Sequence, residues 1–126
     1  AGYKPSGVWD TNYVGVWHRN NEPTGSGSIL DSTTYSNKGS SQSTMGANDL
    51  VNGKINRGIN FDGSVDFIDC YNENEVIFGD GSDDDPLSIE TWINMVDATD
   101  FVPIAKDNNS TAREFSFRFV QDKLHF

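Results

Sequence analysis

From Glu114 to Val120 the chain alternates without a break: Phe115, Phe117 and Phe119 lie on one side and Ser116 and Arg118 on the other. Side chains alternate across the backbone in a strand, whereas a helix groups residues three and four apart. Three aromatic rings on one face need a second layer to cover them. The same period of two runs from Leu87 to Met95, where Leu87, Ile89, Thr91, Ile93 and Met95 oppose Ser88, Glu90, Trp92 and Asn94. Trp92 on the polar side implies that this face also meets something. No segment carries a convincing 3.6-residue period. The pattern therefore predicts an all-β chain of antiparallel strands.

Further strands are expected at Val14 to His18, Ile29 to Leu30, Ile59 to Phe61, Val65 to Asp69, Val102 to Lys106 and Leu124 to Phe126. Asp62-Gly63 reads as the turn between the third and fourth of these, and Gln121 to Lys123 as the turn before the last. Pro103 cannot donate a ladder hydrogen bond, which points to an edge strand or a strand start. Asn20 to Ser28 is turn chemistry without periodicity. The Ser-, Thr-, Gly- and Asn-rich tract from Ser32 to Asn48 has few apolar anchors, Tyr35, Met45 and Ala47, and reads as a loop laid over a sheet. Tyr71 to Pro86 is an acidic loop.

The length of 126 residues limits the chain to one domain. Residues 1–12 read as a linker or the tail of a preceding domain, and residues 13–126 as the folded module. A net charge of −10 repels nucleic-acid phosphates and anionic lipid. No run approaches the roughly 20 apolar residues of a membrane helix. Cys70 is the lone cysteine, which excludes an internal disulfide and a cysteine-built metal site. Its place in the apolar run from Phe67 to Tyr71 predicts a small, buried, inert thiol. A start at Ala1 without Met and an end inside an expected strand point to a piece of a longer polypeptide.

Several segments taken in order resemble the laminin-G-like, concanavalin A-like jelly-roll family. They are Trp17 to Glu22, Ile29 to Ser32, Gly53 to Ile55, Ile59-Asn-Phe-Asp-Gly-Ser64 with Phe67 and Ile68, Leu87-Ser-Ile-Glu-Thr-Trp92, Ile104 to Lys106, and Phe115-Ser-Phe-Arg-Phe119 followed by Lys123 to Phe126. Arg19 stands where that family usually has an apolar residue. The resemblance implies an antiparallel β-sandwich, a jelly roll, that is incomplete within this chain, because the family's later Trp-x-His and Asp-Glu strands are missing. A sandwich buries the inner faces of two sheets. The phenylalanine face should therefore be completed by the rest of the polypeptide or by a neighbouring subunit. Also implied are an extracellular, cell-surface or virion-surface location and a non-enzymatic role in recognising a glycan or a cell-surface protein. A structural subunit or decoration domain of a virion or filament is the second expectation.

Many members of that family hold calcium in their loops, and calcium takes carboxylate, amide and carbonyl oxygens. Asp62, Asp66 and Asp69 are spaced around the turn, with Asp31 and Asn37 on a loop able to fold over it, and of these Asp31, Asp62 and Asp66 are the candidate metal ligands. An Asp-Gly pair also makes a turn without any metal. The Asp80 to Asp85 run fails as an EF-hand, since its glycine is misplaced and its twelfth position is Thr91. Glu90 and Glu114 could be imagined as a glycosidase pair. The acidic motif of the family's hydrolases is missing around Glu90, so no catalytic residue is assigned. His18 and His125 have no serine or cysteine beside them to activate. Trp9, Trp17 and Trp92 could each stack on a sugar. Core packing is expected for Trp17 and Trp92, and an exposed contact for Trp9. Asn108 to Thr111 contains glycosylation sequons.

Overall fold

The computed structural model describes residues 7–71, 76–78, 83, 85–107 and 113–126, without the side chains of Asp107, Arg113 and Glu114. It is all-β apart from a single 3-10 turn at Ala47–Asp49 among the described residues. The strands are β1 (Ser40–Ser41), β2 (Leu50–Asn52), β3 (Arg57–Ile59), β4 (Ile68–Asp69), β5 (Asp100–Asp107), β6 (Arg113–Val120) and β7 (Lys123–His125). They pair antiparallel in three small sheets: β1 with β4, β2 with β3, and β5-β6-β7. The chain divides into two compact units, Ala1–Val76 and Ile77–Phe126.

The first unit is built from short crossings rather than long ladders. Trp17 bridges Asp31, Ile29 bridges Gly39, and β1 continues from Gly39 to pair with β4. Among the described residues its buried ones all fall between Pro23 and Met45, most of them inside the tract from Ser32 that reads as polar loop. Ile29, at 1% exposure, and Met45 are apolar, but Ser32, Thr33, Asn37, Ser40 and Ser41 are buried with them. Buried polar groups are tolerated when they are hydrogen-bonded, and the side chains of Thr33, Asn37, Ser40 and Ser41 are. Ser41 Oγ accepts from Gly25 N–H at 2.7 Å and Ser40 Oγ from Gly27 N–H at 2.9 Å. Asn37 Nδ2 donates to the Val14 carbonyl at 2.7 Å, and Trp17 Nε1 donates to the Asn37 carbonyl at 2.6 Å. Gly39 sits where no side chain fits: a Cβ there would lie 2.6 Å from Ile68 Cγ2 and 3.3 Å from Cys70 Sγ. Tyr35 Oη donates to the Thr11 carbonyl and so ties the segment before Tyr13 to this loop.

The expected hairpin around Asp62-Gly63 is not how these strands pair. β3 joins β2 across a four-residue loop, 53–56, and β4 joins β1. Gly63 does turn the chain, at φ 72°, but the two arms go to different partners. Hydrogen-bond registry with distant segments outweighs the local turn signal here.

The second unit holds the longest strands. β6 covers the Phe115 to Phe119 alternation, and β5 lies on its edge, as Pro103 predicts. Phe101 pairs with Phe119 but Ile104 with Phe117, so β5 carries one extra residue at Val102-Pro103. A bulge accommodates a residue with no N–H. β6 and β7 are joined by the two residues Gln121 and Asp122, both at positive φ, 49° and 62°. This is the twist-compatible hairpin turn, made here without glycine or asparagine. The Gln121 and Asp122 N–H groups donate back to the Thr99 and Ala98 carbonyls at 2.7 and 3.3 Å. The rings of Phe101, Phe117, Phe119 and Phe126 meet at centroid distances of 6.2 to 6.4 Å. All are at least partly open to water.

Leu87 to Met95 differs from expectation in an instructive way. It belongs to no ladder among the described residues, yet Leu87, Ile89, Ile93 and Met95 are half-buried while Ser88, Glu90, Trp92 and Asn94 are exposed; Thr91, expected on the inward side, is exposed as well. The alternation sets which side faces inward. A strand additionally needs a hydrogen-bonding neighbour.

Candidate functional site

The three candidate ligands are used differently. Asp31 follows the bridge to Trp17, and its carboxylate is surrounded by donors. Oδ1 accepts from Val16 N–H at 2.8 Å and Thr33 N–H at 3.0 Å, and Oδ2 accepts from Thr33 Oγ1 at 2.6 Å and Asn37 N–H at 2.8 Å. A carboxylate offers about four lone-pair sites, and all are occupied. Partial desolvation works to raise the Asp31 carboxyl. The bonds from the Thr33 hydroxyl and from the Val16, Thr33 and Asn37 amides outweigh it, holding the group below the usual carboxylate range.

Asp62 and Asp66 do come together. Asp62 Oδ1 accepts from the N–H groups of Ser64, Val65 and Asp66 at 2.8, 2.9 and 3.1 Å, and Asp62 N–H donates to Asp66 Oδ2 at 3.0 Å. The three backbone bonds hold the exposed Asp62 carboxyl below its ordinary value. This is a self-contained loop cap of the kind that Asp forms without a metal. Calcium needs about six to eight oxygens. Among the described residues, no three or more His, Cys, Asp and Glu side chains gather in a group able to hold a metal ion. Asp31 has no oxygen site left to offer, so a cation would have to rely on Asp62, Asp66 and carbonyl oxygens.

The other residues singled out in the sequence separate clearly. Trp17 is half-buried, as expected, with its indole N–H anchored on Asn37. Trp92 reverses expectation: it is 75% exposed. Trp9 is half-buried against Tyr13, with ring centroids 4.9 Å apart, and lies 6.2 Å from the His18 ring. His18 and His125 are exposed, the latter closing β7. Glu90 is exposed on an irregular segment. The Glu114 side chain, most of Asp80 to Asp85 and all of Asn108 to Thr111 lie outside the described residues.

Cys70 is withdrawn from water, and burial pushes its thiol up to about 11 against the pull of Arg19, with Asp69 and Asp31 adding to the rise. It is a protonated, unreactive thiol at neutral pH. Arg19 is the residue that periodicity could not single out. It takes a left-handed backbone conformation, φ 52°, and its guanidinium carbon stands 6.0 Å from the centroid of the Phe61 ring. Its only sequence signal is a charge in place of an apolar residue.

No protein-family model matches the chain, and no curated protein or solved structure matches it. Among the described residues, no helix is long and apolar enough to cross a membrane.

Proposed function

We propose that this chain is a non-catalytic binding or adhesion module of the laminin-G-like, concanavalin A-like sandwich type. It would belong to a larger extracellular or virion-surface protein and recognise a glycan or a cell-surface protein. The observation that carries this reading is Trp92, whose indole lies 75% exposed on a segment that also exposes Val96. A large aromatic ring left in water offers its face to the C–H side of a sugar or to an apolar partner. The all-β frame, with polar loops held by side-chain-to-backbone bonds, is consistent with a scaffold that carries recognition in its loops. Calcium, if it organises these loops, is assigned to Asp62 and Asp66. A glycan array probed with the protein and with Trp92→Ala, each with and without EDTA, tests the reading. Binding lost in the variant supports it, and loss on chelation supports the calcium assignment. Array binding identical in the two proteins removes Trp92 from the site.

A structural subunit or decoration domain is the second reading, and a different observation favours it. Val102 on β5 and Leu124 and Phe126 at β7 are exposed at the two outer strands of the second unit's sheet, Phe126 at 82%. Such edges accept further strands from the rest of the polypeptide or a neighbouring subunit. Ordered self-assembly without any sugar binding would favour this reading over the first.

A further inference from the structure

Arg19 holds a charge that nothing described in the protein answers. Burial is the main influence on it and pulls its pKa down, and among the described residues the ionisable group that acts on it is the Cys70 thiol, which carries no charge at neutral pH. Among the described residues it makes no hydrogen bond and no ion pair, although the chain has 19 Asp and Glu against nine Lys and Arg. A guanidinium presents five N–H donors in a planar fork. Half-buried but still reached by water, such a fork is placed to exchange that water for an anion.

The described acidic neighbours do not supply that anion. Asp31, close enough to act on Cys70, has its four acceptor sites filled by Val16, Thr33 and Asn37. Asp69, which also acts on Cys70, forms no ion pair with Arg19. Asp62 has turned Oδ1 onto its own loop. The donors of Arg19 are not sealed away either. The buried side-chain nitrogens left without a partner among the described residues are Trp9 Nε1 and Arg118 Nε, and none belongs to Arg19. Phe61 holds the guanidinium from one side and keeps 36% of its own surface open beside it.

We propose that Arg19, flanked by Phe61, is a recognition site for a carboxylated sugar, a uronic or sialic acid unit of a glycan. This rests on the glycan-binding reading above and names its ligand class. The planar fork matches a carboxylate with two parallel N–H···O bonds, and the open part of the Phe61 ring gives the sugar an apolar wall. The charge of −10 disfavours polyanions with phosphate or sulfate clusters. A single carboxylate suffers least from that field.

The test is an NMR titration of the protein at constant ionic strength with glucuronate, acetate and glucose, following the Arg19 Nε–H and the Phe61 ring signals. Glucuronate should give saturable shifts at both, acetate weaker ones at Arg19, and glucose none there. Arg19→Gln, with its amide spectrum intact, should bind glucuronate about tenfold or more weakly, the value of a charge-assisted pair. Should that variant not fold, the wild-type titration alone decides. No saturable shift at Arg19 with glucuronate overturns the inference, as does acetate binding as tightly as glucuronate. If neutral glycans still bind on an array in that event, the inference fails while the glycan-binding function stands.

Discussion

Asp31 holds the turn to Asn37 and fastens it to Val16 through four hydrogen bonds, so its removal orphans several donors at once. Asp31→Asn, which keeps the shape but puts an NH₂ against donors, is expected to lower stability by roughly 2–3 kcal/mol in urea denaturation. Calcium should not restore the loss. The pH dependence has a definite sign. Because the folded carboxyl is held below its ordinary value, its stabilisation is complete above the usual carboxylate range and is lost as pH falls through the lower folded value. The Asn variant should therefore show a flatter stability profile on the acid side. Cys70 gives a second expectation. With its thiol raised to about 11 and half-buried beside Gly39, it should react slowly with a disulfide reagent at mildly alkaline pH and rapidly once urea unfolds the chain. Fast labelling of the folded protein would mean that the Gly39–Cys70 contact opens readily.

The β6–β7 hairpin carries a correctable strain. Gln121 and Asp122 both occupy the left-handed region, which costs about 1–2 kcal/mol per residue for ordinary side chains and little for asparagine or glycine. Gln121→Asn with Asp122→Gly should keep both N–H bonds to Thr99 and Ala98 and raise stability by roughly 1 kcal/mol, seen as a higher thermal midpoint. A lower midpoint would mean that these side chains make contacts that matter more than the turn. Leu87 to Met95 is the complementary case. Leu87, Ile89, Ile93 and Met95 keep the period of two in their burial, but no described neighbour supplies a ladder.

The two units solve the burial problem in opposite ways. The first buries few apolar side chains and relies on hydrogen-bonded serine, threonine and asparagine around Ile29 and Met45. The second gathers its phenylalanines on one sheet yet leaves Trp92, Val96, Leu124 and Phe126 in water. Charge repulsion among molecules carrying −10 opposes association through these apolar groups, and it vanishes near the pI of 4.3. Light scattering should therefore rise as pH approaches that value, and Leu124→Ser with Phe126→Ser should reduce the rise. Equal scattering from both proteins would assign association to some other surface. Fully burying one phenylalanine contributes about 1.5–3 kcal/mol, so covering this partly open face would be favourable.

What could be read along the chain was whatever depends on near neighbours. The alternation of Phe115, Phe117 and Phe119 specifies β6, the missing N–H of Pro103 restricts it to an edge or a strand start, and Asp62-Gly63 specifies a turn, because each acts over a few residues of backbone. The Asp31, Asp62 and Asp66 set was legible only as chemistry capable of holding a cation; whether the oxygens face a cation or the backbone depends on amides at Val16, Asn37 and Ser64. The buried polar tract around Asn37 was hidden for the same reason, since Ser40 and Ser41 find their partners at Gly27 and Gly25, and Asn37 finds its own at Val14. Trp92 sits in an apolar pattern that implies burial, yet among the described residues it stays 75% exposed. Periodicity follows from bond geometry and is local; hydrogen-bond satisfaction and exposure belong to contacts between distant segments, which only the folded chain brings together.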